Sequence, residues 1–437
     1  MKREKTQVSC EEAVCFLQAI PPFGGKREDV ENTRRLLELM GHPEKRFRMI
    51  HVAGTNGKGS CCAYLDSIFR EAGFRTGLFT SPHLVRVNER IRVQGEEIPD
   101  EELAEAFCRV RDALRVLKQE GGQDLSYFEF LFALGLCWFE KAGIDLLVCE
   151  TGLGGRLDPT NAIGRKDAAV ITSISLDHTK LLGSTAAQIA GEKAGILRKG
   201  VPVIYCAKDP ESACEIERRA RELNAKRIPL TTDAYRITAR TSDSTQVSLS
   251  TEGYGEISLQ VPFRAEYQAE NACLAALCAL ECGIGKEVIE AGIRNAHWPG
   301  RMQEIRKDVF LDGAHNPDGI RKLADEIRVF AKERPVWLVT AIAADKDYRT
   351  MVRELCRGIA FEGVIATSVS GGRLLEAEAL AGEFVRAGQR FVEAEPDPET
   401  AYRNALRKMG GGVLFCAGSL YLAGAILSAE ERKSKDA

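Results

Sequence analysis

The chain holds 14 cysteines, yet none of them stands in a Cys-x-x-Cys pair. That removes the ligand spacing of the common zinc sites. Disulfide frameworks belong to short secreted chains, and this chain has 437 residues. The cysteines are therefore read as small buried apolar residues in a reducing compartment. No apolar run approaches the ~20 residues that cross a bilayer. The longest, Phe130–Phe139, lies between Glu129 and Glu140 and suits a buried helix, so no membrane partner is expected. Basic blocks and interleaved aromatic stripes are missing and the net charge is -3, so nucleic acid is not an expected partner either. The opening Met-Lys-Arg-Glu-Lys has no apolar segment behind it. No secretory signal is expected, and a cytoplasmic location is. Internal repeats and low-complexity segments are also missing.

What is present is a 44% hydrophobic, 28% charged chain, the balance of a globular enzyme with about two or three domains. Its organising stretch is His51-Val-Ala-Gly-Thr-Asn-Gly-Lys-Gly-Ser60. An apolar segment runs into a glycine-rich turn, and a helical pattern, Cys61 to Ala72, follows. Glycines let the backbone approach an anion, and a helix start adds free N–H groups. Lys58 would reach the outer phosphates, and Ser60 would approach a magnesium ion. The usual pattern has glycine where this chain has Val52, and Gly59 separates Lys58 from Ser60. A turn without a ligand is the competing reading.

Periodicity predicts helices over 11–19, Asp29–Met40, Asp100–Glu120 and Phe128–Ala142. Strands are expected at Thr76–Thr80, Ile144–Glu150, Ala168–Ser173 and Val201–Tyr205. Alternation of this kind implies a parallel sheet with helices on both faces and ligands at the carboxyl ends of the strands. Gly54, Ser81, Glu150 and Asp177 all fall just past such ends. Between Leu230 and Val261 the period changes to two, and three runs at Tyr235, Gln246 and Glu256 predict a small antiparallel unit. A helix, Ala269–Glu281, follows. Trp298-Pro299-Gly300 marks the expected boundary between a domain of residues 1–298 and one of residues 299–437. The second reads as Rossmann-like α/β. Its strands are expected at Val309–Leu311, Val336–Thr340, Gly363–Ala366 and Val413–Phe415. Helices at Asp318–Ala331, Tyr348–Cys356, Leu375–Ala387 and Thr400–Met409 alternate with them. The charged end, Glu430–Ala437, is expected to fray.

Several residues could carry chemistry, each with a plainer alternative. Glu150 ends an apolar strand beside Thr-Gly-Leu-Gly-Gly155, where a carboxylate can hold magnesium or merely meet solvent. His178 follows Asp177, and a lone histidine is more often structural than functional. Lys193 lies in a helical Gly191-Glu-Lys-Ala-Gly-Ile196 and reads by default as a surface charge. Asp312-Gly-Ala-His-Asn-Pro317 offers a carboxylate, an imidazole and an amide after a strand, or only an Asx turn.

Taken together, these stretches resemble the folylpolyglutamate synthase/dihydrofolate synthase group of Mur-type, ATP-dependent amide ligases. The matching segments are the phosphate loop, Thr80-Ser-Pro-His-Leu84 with Asn88-Glu-Arg-Ile91, Phe128-Glu129 and Glu150-Thr-Gly-Leu-Gly-Gly-Arg-Leu-Asp158. They continue with Asp177-His178, Leu182-Gly183, Glu192-Lys-Ala-Gly-Ile196, Gly300-Arg301, Asp312-Gly-Ala-His-Asn-Pro317 and Gly418-Ser-Leu-Tyr421. Their order and spacing run over nearly the whole chain.

The resemblance implies roles. Thr55, Asn56, Gly57, Lys58, Gly59 and Ser60 would bind ATP phosphates. Asn271, Arg301 and Asp312 would hold the rest of the nucleotide. Ser81, Glu150 and His178 would be ligands for one or two Mg²⁺ ions, and Lys193 matches a lysine that relatives carbamylate. Lys58, Lys193 and His315 would be the catalytic side chains. Phe128, Glu129, Leu157 and Asp158 occupy the region of the pterin-bearing substrate. The implied reaction joins L-glutamate to 7,8-dihydropteroate, to the terminal glutamate of a reduced folate, or to both, through an acyl phosphate. A monomer is expected. Another Mur-type amino-acid ligase and a binding-only relative are the alternatives. The Lys58-Gly59-Ser60 form and Thr80-Ser-Pro-His-Leu84 favour the folate branch. Departures at Pro22-Phe-Gly-Gly25-Lys-Arg27 and Ser370-Gly-Gly-Arg373 touch neither phosphate nor metal positions.

Overall fold

A computed structural model describes residues 8–21, 29–369 and 374–436. The departures at 22–27 and 370–373 lie outside the described residues. Among the described residues the strands form three sheets.

The first sheet holds β1 (Arg48–Ala53), β2 (Thr76–Phe79), β3 (Ile91–Val93), β4 (Glu96–Glu97), β5 (Leu146–Glu150), β6 (Ala168–Ile171), β7 (Val203–Cys206) and β8 (Arg227–Leu230). Their order is β4-β3-β2-β5-β1-β6-β7-β8. β2 pairs antiparallel with β3, and β3 with β4, while the remaining pairs are parallel. Parallel strands are covered on both faces and read as unbroken apolar runs. β5, Leu-Leu-Val-Cys-Glu, is buried throughout, its terminal Glu150 included. The chain leaves β1 toward β2 on one side and later crosses to β6 on the other. β1 is thus the switch point, where crevices form in such sheets.

One face of this sheet packs against helices Cys10–Ala19, Glu31–Leu39, Asp100–Gln119 and Tyr127–Ala142. Phe107, Phe130 and Phe16 stack and tilt together there. Phe107 and Phe130 are buried, each contributing about 1.5–3 kcal/mol. The other face packs against helices Lys58–Glu71, Tyr267–Glu281 and Lys286–Arg294. The small sheet, β9 (Tyr235–Arg240), β10 (Thr245–Thr251) and β11 (Gly255–Val261), is antiparallel. Its alternate residues Val247, Leu249, Ile257, Leu259 and Val261 join that second core, as period two predicts.

The third sheet holds β12 (Gln303–Arg306), β13 (Val309–Leu311), β14 (Val336–Thr340), β15 (Gly363–Ala366), β16 (Val392–Ala394) and β17 (Val413–Ala417). Its order is β12-β13-β17-β14-β15-β16, parallel except for β12. The expected α/β class, mostly parallel with a small antiparallel unit, is what forms.

Three long helices stand outside those expected from the sequence: Pro210–Glu222 and Lys286–Arg294, both amphipathic, and Leu420–Asp436. The last runs on into the segment expected to fray, after Leu422, Ala423, Ile426 and Ala429 have buried one face. Glu430 pairs with Arg306, and Arg432 with Glu399 at 2.8 Å. All 14 cysteines are free thiols. Most are buried, but Cys15 and Cys214 are exposed, so the reading of every cysteine as a buried apolar residue fails at those two. Among the described residues no helix is long and apolar enough to cross a membrane.

Candidate active site

The carboxyl ends of β1, β2, β5 and β6 face the carboxyl ends of β13 and β17 across one cavity of about 220 Å³. Every residue expected to bind ATP or metal or to act in catalysis lines it: Thr55 to Ser60, Ser81, Glu150, His178, Lys193, Asn271, Arg301, Asp312 and His315.

The phosphate loop is held by its backbone. Thr55 N donates to Ser173 O at 2.8 Å, and Thr172 Oγ1 donates to Asn56 O at 2.7 Å. Two glycines are required by close approach. A Cβ on Gly54 would sit 1.8 Å from Thr172 Oγ1, and one on Gly57, at φ +87°, would sit 2.1 Å from Asn271 Oδ1. Helix Lys58–Glu71 starts with no side-chain cap, so its first N–H groups remain available to an anion.

Lys58 Nζ donates to Thr55 O at 3.2 Å and lies 3.8 Å from Glu150 Oε1. Ser81 N donates to Glu150 Oε2 at 2.9 Å. Burial pushes the Glu150 carboxyl up, opposed by Lys58, the Ser81 N–H and Arg301. Ser60 Oγ accepts from Gln268 Nε2 at 3.2 Å, and Gln268 Oε1 accepts from Asn271. The side chain of Asn56 turns toward the second half of the chain, bonding Asn316 and Asp318. Among the phosphate-loop residues, this one faces a partner the sequence did not suggest.

Lys193 is not the surface charge of its plainer reading. Its side chain is buried, its Nζ donates to Gly54 O at 2.7 Å, and burial, with the Lys58 charge, lowers its pKa to about 7. His315 Nδ1 lies 2.9 Å from Gly313 O. A carbonyl only accepts, so Nδ1 carries the proton and Nε2 is left as an acceptor. Burial holds His315 down to about 4, neutral at pH 7. The Asp312 carboxylate accepts from Tyr267 OH at 2.6 Å, Met302 N at 2.8 Å and Ala314 N at 2.8 Å. It is therefore a brace between the two halves as well as a wall of the cavity.

His178 Nε2 lies 3.5 Å from Lys346 Nζ. Lys346 also donates to Asp177 Oδ1 at 2.6 Å, and Asn316 Nδ2 donates to Asp177 Oδ2 at 3.1 Å. Burial pushes Asp177 up, but Lys346, His178 and these hydrogen bonds outweigh it and hold it at about 2. Lys346 and Tyr267 were missed as site residues, whereas Asn316 is the amide of the expected Asp312–Pro317 stretch. Lys346 sits in the loop beyond the end of β14 rather than at the strand end itself.

Phe128, Glu129, Leu157 and Asp158 lie outside the lining of this cavity. Phe128 packs over Gly152, where a Cβ would sit 2.7 Å from its ring. Leu157 is half-buried in the following turn. Asp158 is buried and accepts from Leu153 N at 2.8 Å and Thr160 N at 3.1 Å, tying down the Thr151–Gly155 turn. Glu129 is 1% exposed, accepts from Thr33 Oγ1 at 3.0 Å and closes a capping box with Ser126. Glu129→Ala is expected to cost about 1–2 kcal/mol, lowering Tm, while KM for each acceptor stays within about twofold. Melting curves and initial rates decide it. A large rise in KM at unchanged Tm would instead make Glu129 a substrate contact.

The donor set fits magnesium beside a nucleotide. Glu150 and Ser81 offer oxygen and His178 an imidazole. Among the described residues no group of three or more His, Cys, Asp and Glu gathers to hold a metal. A hard ion here would complete its shell with phosphate oxygens and water, as Mg²⁺ does at nucleotide sites.

Known proteins match this arrangement. Residues 133–279 match the Mur ligase middle domain, and residues 300–420 match the Mur ligase glutamate ligase domain. The chain is 33% identical to the folylpolyglutamate synthase of Lacticaseibacillus casei over 95% of its own length and 97% of that protein's. It is 36% identical to the dihydrofolate synthase/folylpolyglutamate synthase of Bacillus subtilis over 76% of its length and 79% of that protein's. Its structure is similar to that of Escherichia coli FolC in complex with DHPP and ADP, with a TM-score of 0.84 and 27% identity over 98% of each chain. A Mycobacterium tuberculosis folylpolyglutamate synthase complexed with ADP and AMPPCP gives a TM-score of 0.88 at 28% identity, over 96% of this chain and 98% of that one. The two-sided cavity, the two matching domain models and near full-length relatives place this chain in the folylpolyglutamate synthase/dihydrofolate synthase family of Mur ligases.

Proposed function

We propose that the protein joins L-glutamate to 7,8-dihydropteroate and to the terminal glutamate of reduced folates, with ATP as the phosphoryl donor. The carrying observation is that Lys58 and Glu150 share a cavity with Arg301 and Asp312 from the other side. A carboxylate is a poor acyl donor, since its leaving group would be oxide. Its oxygen attacks the γ-phosphorus, the bridging P–O bond breaks and ADP leaves. The glutamate amine then attacks the acyl phosphate, the C–O bond breaks, inorganic phosphate departs and the amine proton is lost.

Lys58 and the uncapped helix start hold phosphate oxygens and neutralise charge on the group in transfer. Arg301 brings a second cation from the opposite side, and closure of the two sides keeps water from the acyl phosphate. His315, neutral and accepting at Nε2, is suited to orient the incoming ammonium or amine. Magnesium, held by Ser81, Glu150 and His178, would supply electrostatic clamping of the phosphates. Lys193 with a pKa of about 7 has neutral amine in quantity at physiological pH. That amine adds to CO2, forming an N–C bond and releasing one proton, and the resulting carbamate is an anion facing the same cavity.

The test is glutamate-dependent ADP release by purified protein with ATP and magnesium, offering dihydropteroate and tetrahydrofolate separately. Turnover with both acceptors is expected. Turnover with one alone narrows the assignment, and none with either removes it.

A further inference from the structure

The helix Leu420–Asp436 begins at the cavity, where Leu420 is part of the lining. A Cβ on Gly313, next to Asp312, would sit 2.4 Å from Leu420 Cδ2. One turn on, Gly424 occupies the same helix face and meets the opposite half of the molecule. A Cβ there would lie 1.9 Å from Leu84 O and 2.8 Å from Leu84 C. The obstacle is backbone, so it cannot swing aside as a side-chain tip would. The Leu84 side chain enters the same seam, with Cδ1 3.1 Å from a Cβ position on Gly300, and packs against the core around β13 and β17.

Leu84 belongs to a stiff segment. The Leu84, Val85 and Arg86 N–H groups all donate to the Glu89 carboxylate, at 2.7, 2.6 and 2.6 Å. Three residues earlier, Ser81 N donates to Glu150 Oε2 at 2.9 Å. A displacement at Leu84 is therefore carried toward the Ser81–Glu150 corner rather than absorbed within a loose loop.

We propose that Gly424 is a positioning residue: its bare Cα seats the Leu84 carbonyl, and this seat sets the Ser81–Glu150 corner when the two sides of the cavity meet. Leu84 and Gly424 both lie outside the lining of the cavity. The seat acts through Leu84, and it explains why the helix face facing this loop has no side chain at 424. The inference rests on the ligase reading for its kinetic consequence, but its structural content stands apart from that reading.

Gly424→Ala must move the Leu84 carbonyl by about 1 Å to relieve contact. A misplacement of that size is expected to lower kcat by about 10²-fold. KM for ATP stays within about threefold, because the phosphate loop and Asn271 are untouched. Leu84→Ala, which withdraws the anchor without adding a wedge, gives the same split, and Leu84→Met restores most of kcat. Amide hydrogen exchange supplies the readout that needs no substrate. In Gly424→Ala the amides of Leu84 to Arg86 exchange at least about tenfold faster, while those in helix Lys58–Glu71 keep their protection. Wild-type kcat with unchanged exchange in Gly424→Ala overturns the proposal. So does a loss of kcat matched by equal loss of nucleotide affinity and of protection throughout the first sheet. If the wild-type chain shows no glutamate-dependent turnover, the ligase reading fails, and the exchange experiment still decides the seat.

Discussion

Lys58→Ala is expected to lower glutamate-dependent ADP release by about 10²–10³-fold, the effect of removing one preorganised charge from a transferring group. The side chain is mostly buried, bonded to Thr55 O at 3.2 Å and 3.8 Å from Glu150 Oε1. Truncation removes the ammonium that we propose holds the phosphates. It also withdraws the nearest cation from Glu150, whose carboxyl is already pushed up by burial. Both losses fall on the transition state more than on folding, because Ser81 N–H, Arg301 and Arg90 still support Glu150. Circular dichroism should therefore be unchanged while kcat collapses. Lys58→Arg retains the charge on a planar fork and should recover only part of the rate. A Lys58→Ala protein that turns over normally would remove the phosphate role.

The second large effect concerns Lys193. If its working form is the carbamate, both Lys193→Ala and Lys193→Arg should lose about 10²-fold or more in kcat, since neither can add CO2. Were the ammonium the working form, arginine would retain much of the activity. The pH dependence follows from the lowered pKa of about 7. Below it the ammonium predominates and cannot add CO2; above it the neutral amine predominates. Protein stripped of CO2 should regain activity on adding bicarbonate, and the regain should grow as pH rises through about 7. With ¹³C-labelled bicarbonate, a carbamate resonance is expected in the wild type and not in Lys193→Ala. Full activity in CO2-free buffer, with no such resonance, would show that the bare amine suffices.

Much of this site was legible because its parts follow parallel strands. Gly54, Ser81 and Glu150 stand at the ends of apolar runs in the first sheet and Asp312 after one in the third, and each parallel sheet brings such positions to its own carboxyl edge. Lys193 was harder. Its helix, Ala186–Ala194, carries no strong amphipathic signal, and only the packing of that helix beneath the phosphate loop buries the amine. Lys346 was harder still, since its contact with Asp177 depends on which element of the other side lies opposite. Glu129 and Asp158 show the converse. They sit inside matching motifs, and their carboxylates also serve a capping box and a turn.

By itself the sequence determined the alternation of strand and helix, the antiparallel insert and the phosphate loop, because periodicity and glycine placement act within a few residues. It also carried the order of motifs that belongs to this family. Only the tertiary structure decided which side chains are buried, which face of Asn56 meets Asn316, and that Gly424 abuts Leu84. Those outcomes depend on contacts between residues hundreds of positions apart, whose distances no local pattern encodes.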